Sequence, residues 1–110
     1  MNKSAITSHI LDLQKGKPAV GVKITLTSPT NEVFTGHSDE DGRVVLWNKE
    51  LDLQAGNWQA HFDIQPWFAA SEIETFYHEA VIAFIVKKLD EHYHIPLLLN
   101  SHGYSTYRGS

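Results

Sequence analysis

The chain has no cysteine in its 110 residues. Disulfide bonds, thiolate catalysis and cysteine-ligated metal sites are therefore excluded. Long apolar runs are missing too. The longest, Ala80 to Val86, falls far short of the roughly 20 residues a bilayer-spanning helix needs. The opening Met1-Asn2-Lys3-Ser4 leads straight into patterned sequence with no apolar signal core. The expected location is the cytoplasm, or the periplasm if a leader has been removed from a longer precursor. There is no basic surplus: 9 Lys and Arg stand against 13 Asp and Glu, a net charge of −4. That balance gives no attraction to nucleic acid or to an acidic membrane surface. Gly-x-Ser-x-Gly elbows, P-loops, dinucleotide fingerprints, internal repeats and low-complexity stretches are all absent. At this length one domain over residues 1–110 is expected.

What is abundant is histidine, seven residues in all, a side chain that titrates near neutral pH and serves as acid, base or metal ligand. The hydrophobic pattern has a period of two. Val22, Ile24 and Leu26 alternate with Lys23, Thr25 and Thr27, and Trp58, Ala60, Phe62 and Ile64 alternate with Gln59, His61, Asp63 and Gln65. Both runs read as half-buried strands. Ala80 to Val86 is apolar on both faces, which predicts a strand covered on two sides. Tyr93, Ile95, Leu97 and Leu99 form one face of a further strand, with His92, His94, Pro96 and Leu98 on the other. Pro96 cannot donate to a ladder and so predicts an edge position or a bulge. One short helix is expected around Pro66 to Thr75. Turn-forming segments at Lys15-Gly16-Lys17-Pro18, Ser28 to Asn31, Asp39 to Gly42, Ala55 to Asn57 and Ser101 to Gly103 separate the runs. Seven or eight short strands with regular turns predict an all-β sandwich of two antiparallel sheets.

Three segments set a reactive side chain in an unusual place. In Thr7-Ser8-His9-Ile10-Leu11-Asp12, His9 shares a strand face with Leu11 and Leu13; taken alone it reads as a core or interface histidine with one hydrogen bond. In Asp41-Gly42-Arg43, a turn glycine plants Arg43 at a strand entrance. A guanidinium there can bind a carbonyl or oxyanion, or simply pair with Asp39, Glu40 or Asp41. In His92-Tyr93-His94-Ile95-Pro96, the two imidazoles lie on one strand face. They suit proton transfer, or a metal pair if His9 supplied a third ligand. The last eight residues, Gly103 to Ser110, crowd aromatic, hydroxyl and guanidinium groups together. Chain ends usually fray, whereas this one has the composition of a segment that docks.

Ser8-His9-Ile10-Leu11-Asp12 followed by Gly16-Lys17-Pro18-Ala19 resembles the opening of the transthyretin-like family. Asp41-Gly42-Arg43 and His92 to Leu99 resemble its middle and late motifs. The ending Tyr104 to Ser110 is similar to the signature of the family's enzymatic branch, which acts on 5-hydroxyisourate. The likeness runs from about Ile6 to Ser110. Two departures are visible: His78 stands where the family commonly has proline, and Asn100-Ser101-His102 replaces its usual Ser-Pro-aromatic. Both bear on loop shape.

The resemblance implies a transthyretin-like (prealbumin-like) sandwich that assembles as a homotetramer, a dimer of dimers, with active sites in a channel between dimers. Carried over by position, His9, Arg43, His94 and Ser110 match the catalytic set, and His9, Arg43, Tyr107 and Arg108 are the substrate-binding residues; Tyr107 and Arg108 with Gly109 also shape the channel and hold the tail in place, and His92 is a neighbour without an assigned role. The implied reaction is hydrolysis of 5-hydroxyisourate to 2-oxo-4-hydroxy-4-carboxy-5-ureidoimidazoline in urate breakdown. His9 or His94 takes a proton from water, Arg43 faces the oxyanion and Ser110 orients water or imidazole. No metal or cofactor is expected, because the substrate is an activated amide. Two other readings use the same sandwich differently. A carrier would bind a small aromatic ligand in the channel and have no need of converging imidazole, guanidinium and hydroxyl groups. An adhesin-type structural sandwich would not depend on its last four residues.

Overall fold

The computed structural model describes residues 3–110. Among them the chain forms nine strands and one short helix: β1 (Ile6–Asp12), β2 (Lys17–Pro18), β3 (Lys23–Thr27), β4 (Val33–His37), β5 (Arg43–Val44), β6 (Gly56–Asp63), α1 (Ile64–Ala69), β7 (Glu79–Val86), β8 (Tyr93–Asn100) and β9 (Gly103–Thr106). Two sheets result, as the alternation predicts. One runs β2-β1-β8-β9 with β5 also paired to β1, and the other runs β4-β3-β6-β7.

The period-two residues point inward. Ile24 pairs across from Phe62 and Leu26 from Ala60, and all four are buried with Trp58 and Phe34. From the other sheet Ile6, Ile10, Tyr93, Ile95, Leu97 and Leu99 complete one continuous core. Full burial of each large aliphatic or phenyl side chain contributes about 1.5–3 kcal/mol. This is why the alternation sets which face turns inward.

Four expectations need correction. Not every pairing is antiparallel: β1 and β8 run parallel over seven residue pairs, from Ile6 opposite Tyr93 to Asp12 opposite Leu99. Their sheet is therefore mixed. Pro96 lies neither at a sheet edge nor at a bulge, because β8 has β1 on one side and β9 on the other. The cost of its missing N–H appears as a gap. The β8–β9 ladder stops at Leu97 opposite Thr106 and resumes only at the His94–Gly109 bridge. The Thr106 hydroxyl donates to the Pro96 carbonyl at 2.7 Å across that gap.

The helix spans Ile64–Ala69, with Asp63 as its N-cap, and so begins before Pro66 and ends well before Thr75. A proline in the first helical turn sacrifices only an N–H that has no partner within the helix. Ile64 and Phe68, four apart, are the buried pair that fixes the helix's position. After Ala70 the chain turns through Glu72 at φ +58°, so Ser71 to Glu74 form no helix.

Within one copy of the chain, strand β7 is not covered on two sides. It is the last strand of its sheet, with Ala80 and Val86 buried while Val81 and Ile85 are 42% and 58% exposed. The two loops that depart from the family pattern touch one another: Phe76 N–H donates to the Ser101 carbonyl at 3.0 Å, and the Thr75 hydroxyl donates to the same oxygen. No helix among the described residues is long and apolar enough to cross a membrane.

Candidate functional site

Three strands bring the site together. The parallel register sets Thr7 opposite His94 and His9 opposite Pro96. The short antiparallel pairing of β5 with β1 sets Arg43 opposite His9. Residues in register across a sheet share a face. His9, Arg43 and His94 therefore gather on the side of the mixed sheet that looks away from the core.

The turn before Arg43 is built for this. Asp39 folds its carboxylate back to accept the backbone N–H of Asp41 at 2.9 Å and of Arg43 at 3.0 Å. Gly42 adopts φ +77°, and a Cβ there would lie 2.5 Å from the Ile10 carbonyl oxygen. Only glycine meets both conditions without strain. The Gly42 carbonyl accepts from Ile10 N–H at 2.7 Å, fastening the turn to β1. The Asp41 carbonyl lies 2.9 Å from His9 Nε2. A carbonyl only accepts, so His9 carries its proton on Nε2, and in the neutral ring the lone pair is on Nδ1. The expected alternative for Arg43 does not occur: among the described residues its guanidinium makes no ion pair with Asp39, Glu40 or Asp41.

His94 is held from two sides. Its Nδ1 is 2.8 Å from the Thr7 hydroxyl, which is also 2.8 Å from Nε2 of His92. On the other side the tail returns, and Gly109 N–H donates to the His94 carbonyl at 2.9 Å. A Cβ on Gly109 would stand 2.4 Å from His94 Cδ2. This places Gly109 flat against the imidazole, with Ser110 the next residue along. Gly109→Ala is therefore expected to lift the tail or rotate the ring. Activity of the site should fall at least about tenfold, a loss typical of displaced catalytic groups, with the thermal midpoint shifted by only a few degrees.

Burial holds the His94 pKa below the ordinary histidine value of 6.5, aided by the positive charge of Arg43 and then by His92, His9 and Lys3. Desolvation and nearby cations both disfavour the imidazolium. His94 is therefore neutral at pH 7, with its Nε2 free of hydrogen bonds to any described residue.

Of the six residues singled out in the sequence, His9, Arg43 and His94 come together, and Ser110 follows directly on the glycine that touches His94. Arg108 stacks its guanidinium 4.7 Å above the Tyr93 ring, donates to the His92 carbonyl at 3.2 Å and lies 3.6 Å from Glu91. Tyr107 and Arg108 line a cleft of about 350 Å³ with Ile82, Phe84 and Tyr93, and His94 borders the same cleft. The tail is docked, as its composition suggests. Among the described residues no three His, Asp or Glu side chains converge as a ligand set; the Thr7 hydroxyl lies between His92 and His94, whose ring centroids are 6.4 Å apart. Thr7 is the residue that sequence reasoning missed. Its position two before His9 puts it on the same strand face, which was the available signal.

Residues 6–109 match the model of the HIUase/Transthyretin family. The 5-hydroxyisourate hydrolase of Salmonella typhimurium is 42% identical over 110 residues, covering 96% of this chain and 80% of that one. The structure of the Klebsiella pneumoniae 5-hydroxyisourate hydrolase superposes with a TM-score of 0.86 at 31% identity, covering all of both chains. Transthyretin from Sparus aurata shares the fold, with a TM-score of 0.85 at 24% identity and 97% of each chain covered. With this fold, and with its sequence matched almost end to end, the chain belongs to the HIUase/transthyretin family.

Proposed function

We propose that this chain hydrolyses 5-hydroxyisourate to 2-oxo-4-hydroxy-4-carboxy-5-ureidoimidazoline, as one transthyretin-like hydrolase domain. The observation that carries the reading is the convergence on one sheet face of two imidazoles and a guanidinium; among the described residues each imidazole keeps a free nitrogen and the guanidinium has no ion-pair partner. The 5-hydroxyisourate hydrolase names of its relatives supply the substrate.

In the proposed reaction His94 takes a proton from water through Nε2 as the oxygen attacks the ring carbonyl. A base that is neutral at pH 7 but still able to hold a proton suits that step. His9 adjoins it and orients the water or substrate through Nδ1. Arg43 faces the carbonyl oxygen, where a preorganised cation acts most strongly as negative charge develops. His94 then returns the proton to the departing ring nitrogen, the amide C–N bond breaks, and the carboxylate forms. Ser110 acts through its hydroxyl on water or imidazole. Tyr107 and Arg108 bind substrate from the cleft that His94 also borders, and they hold the tail that carries Gly109 and Ser110. No cofactor enters the scheme.

The site lies on an open sheet face, and a second copy of the chain seated on that face would enclose it. This supports a dimer of dimers with its sites in the channel between dimers. The exposed apolar face of β7 supports a further contact between copies.

The test is the decay of freshly generated 5-hydroxyisourate, followed by ultraviolet absorbance. Decay much faster with the protein than in buffer supports the hydrolase; equal decay refutes it and leaves a ligand carrier. The acid limb of kcat/KM is expected below pH 6.5, because the imidazole that must be neutral has a lowered pKa. Stability follows the same group. Its contribution is complete above pH 6.5 and declines as pH falls from there through the lowered folded value, because the unfolded chain takes up the proton first.

A further inference from the structure

The Thr7 hydroxyl contacts both His92 Nε2 and His94 Nδ1 at 2.8 Å, and it has a single proton to give. At least one of the two imidazoles must therefore donate to it, and no more than one can accept from it. Thr7 is 3% exposed and β-branched, so its χ1 has little freedom. Its backbone sits directly opposite His94 in the parallel register. His92 is exposed, and Arg108 holds the His92 carbonyl at 3.2 Å.

We propose that Thr7 is the positioning residue that sets the tautomer of His94, accepting from its Nδ1–H and donating to Nε2 of His92, so that the His94 lone pair is presented from Nε2. The proposal deepens the hydrolase reading and rests on it for its catalytic consequence. Only an arrangement in which Thr7 accepts from His94 is compatible with a base at this position. If Thr7 donated to His94, the Nδ1 lone pair would be consumed and Nε2 would carry a hydrogen. His94 could then take no proton from water. With Thr7 accepting, the ring enters the reaction with Nε2 empty. When Nε2 gains a proton, Nδ1 keeps the hydrogen it already donates to Thr7. No hydroxyl has to turn between the neutral and the charged ring, which is preorganisation of the kind that lowers a barrier. His92 serves as the acceptor that keeps the Thr7 proton pointed away from His94, and its other nitrogen is left for solvent.

The experiment has two arms. In the first, nitrogen NMR of histidine-labelled wild type, without substrate and at a pH where His94 is neutral, reads its tautomer directly. An Nδ1–H form is expected, and an Nε2–H form overturns the proposal whatever the activity. The second arm compares Thr7→Val, which keeps the branched shape, with Thr7→Ser, which keeps the hydroxyl. Thr7→Val is expected to lose about 10²-fold in kcat, the scale of general acid–base assistance, with KM little changed and the His94 signal moved toward the Nε2–H form. Thr7→Ser is expected to restore most of both. Wild-type kcat in a folded Thr7→Val overturns the positioning role. If wild type does not hydrolyse 5-hydroxyisourate at all, the hydrolase reading fails on its own, and the NMR arm still decides the arrangement of Thr7.

Discussion

Replacing Arg43 with alanine is expected to lower kcat/KM for 5-hydroxyisourate by about 10²–10³-fold, the loss found when one oxyanion donor is removed. The side chain is exposed and makes no ion pair among the described residues. Stability should therefore stay within about 0.5 kcal/mol of wild type. The same change removes one of the positive charges that hold down the His94 pKa. The acid limb of the pH profile should accordingly move up toward 6.5 while the rate falls. A stability role alone would produce neither effect. Arg43→Lys should recover the pH limb more fully than the rate, because an ammonium replaces the charge but not the planar two-pronged donor. Wild-type kcat/KM in Arg43→Ala would remove the oxyanion role. His9→Ala and His94→Ala, assayed beside it, should separate the base from its neighbour: the larger kcat loss is expected for His94, whose Nε2 is free.

Gly42→Ala should have the largest effect on stability, a loss of about 2–4 kcal/mol, near the upper end for single substitutions. Two costs add. A non-glycine residue at φ +77° pays about 1–2 kcal/mol for the left-handed conformation. The new Cβ would also meet backbone rather than a yielding side-chain tip, 2.5 Å from the Ile10 oxygen and 3.0 Å from Pro18 Cβ. That oxygen already accepts from Ala19 N–H at 2.9 Å, so the movement would open the junction where β1 passes from β5 to β2. In urea the midpoint should fall with the slope unchanged. Activity should drop as well, since the Asp41 carbonyl that orients His9 precedes the altered residue. Gly103→Ala is the control. Its added Cβ meets nothing within 4 Å and its φ is not positive, so no comparable loss is expected. Equal stability of Gly42→Ala and wild type would show that the turn is not fastened to β1 as described.

The amino-acid sequence determined the faces of the strands. Alternation of Ile24 and Leu26, of Trp58, Ala60 and Phe62, and of Tyr93, Ile95, Leu97 and Leu99 is a local signal. Burying one side of each strand is worth enough that no competing arrangement turns them over. The same local rule set His94 on the face opposite the core, and turn chemistry marked Gly42 ahead of Arg43. The family motifs carried His9, Arg43, His94 and Ser110 as a set without saying how they meet.

What only the tertiary structure decided is which strands lie side by side. Thr7 and His94 are 87 residues apart in the chain, and nothing local distinguishes a parallel from an antiparallel partner for β1. Pro96 was expected at an edge because a local rule cannot show that a tail glycine, Gly109, takes up the ladder beyond the gap. The run Ala80 to Val86 looked doubly covered because its apolar composition is the same whether a face is packed by its own chain or left open at the last strand. The helix began early because Ile64 and Phe68 had core positions to fill, and that burial outweighed the proline that composition favoured as its start. Local periodicity thus determined the side each residue faces, and long-range packing determined its neighbours. A candidate site made of neighbours could be read only in part before the sheets were assembled.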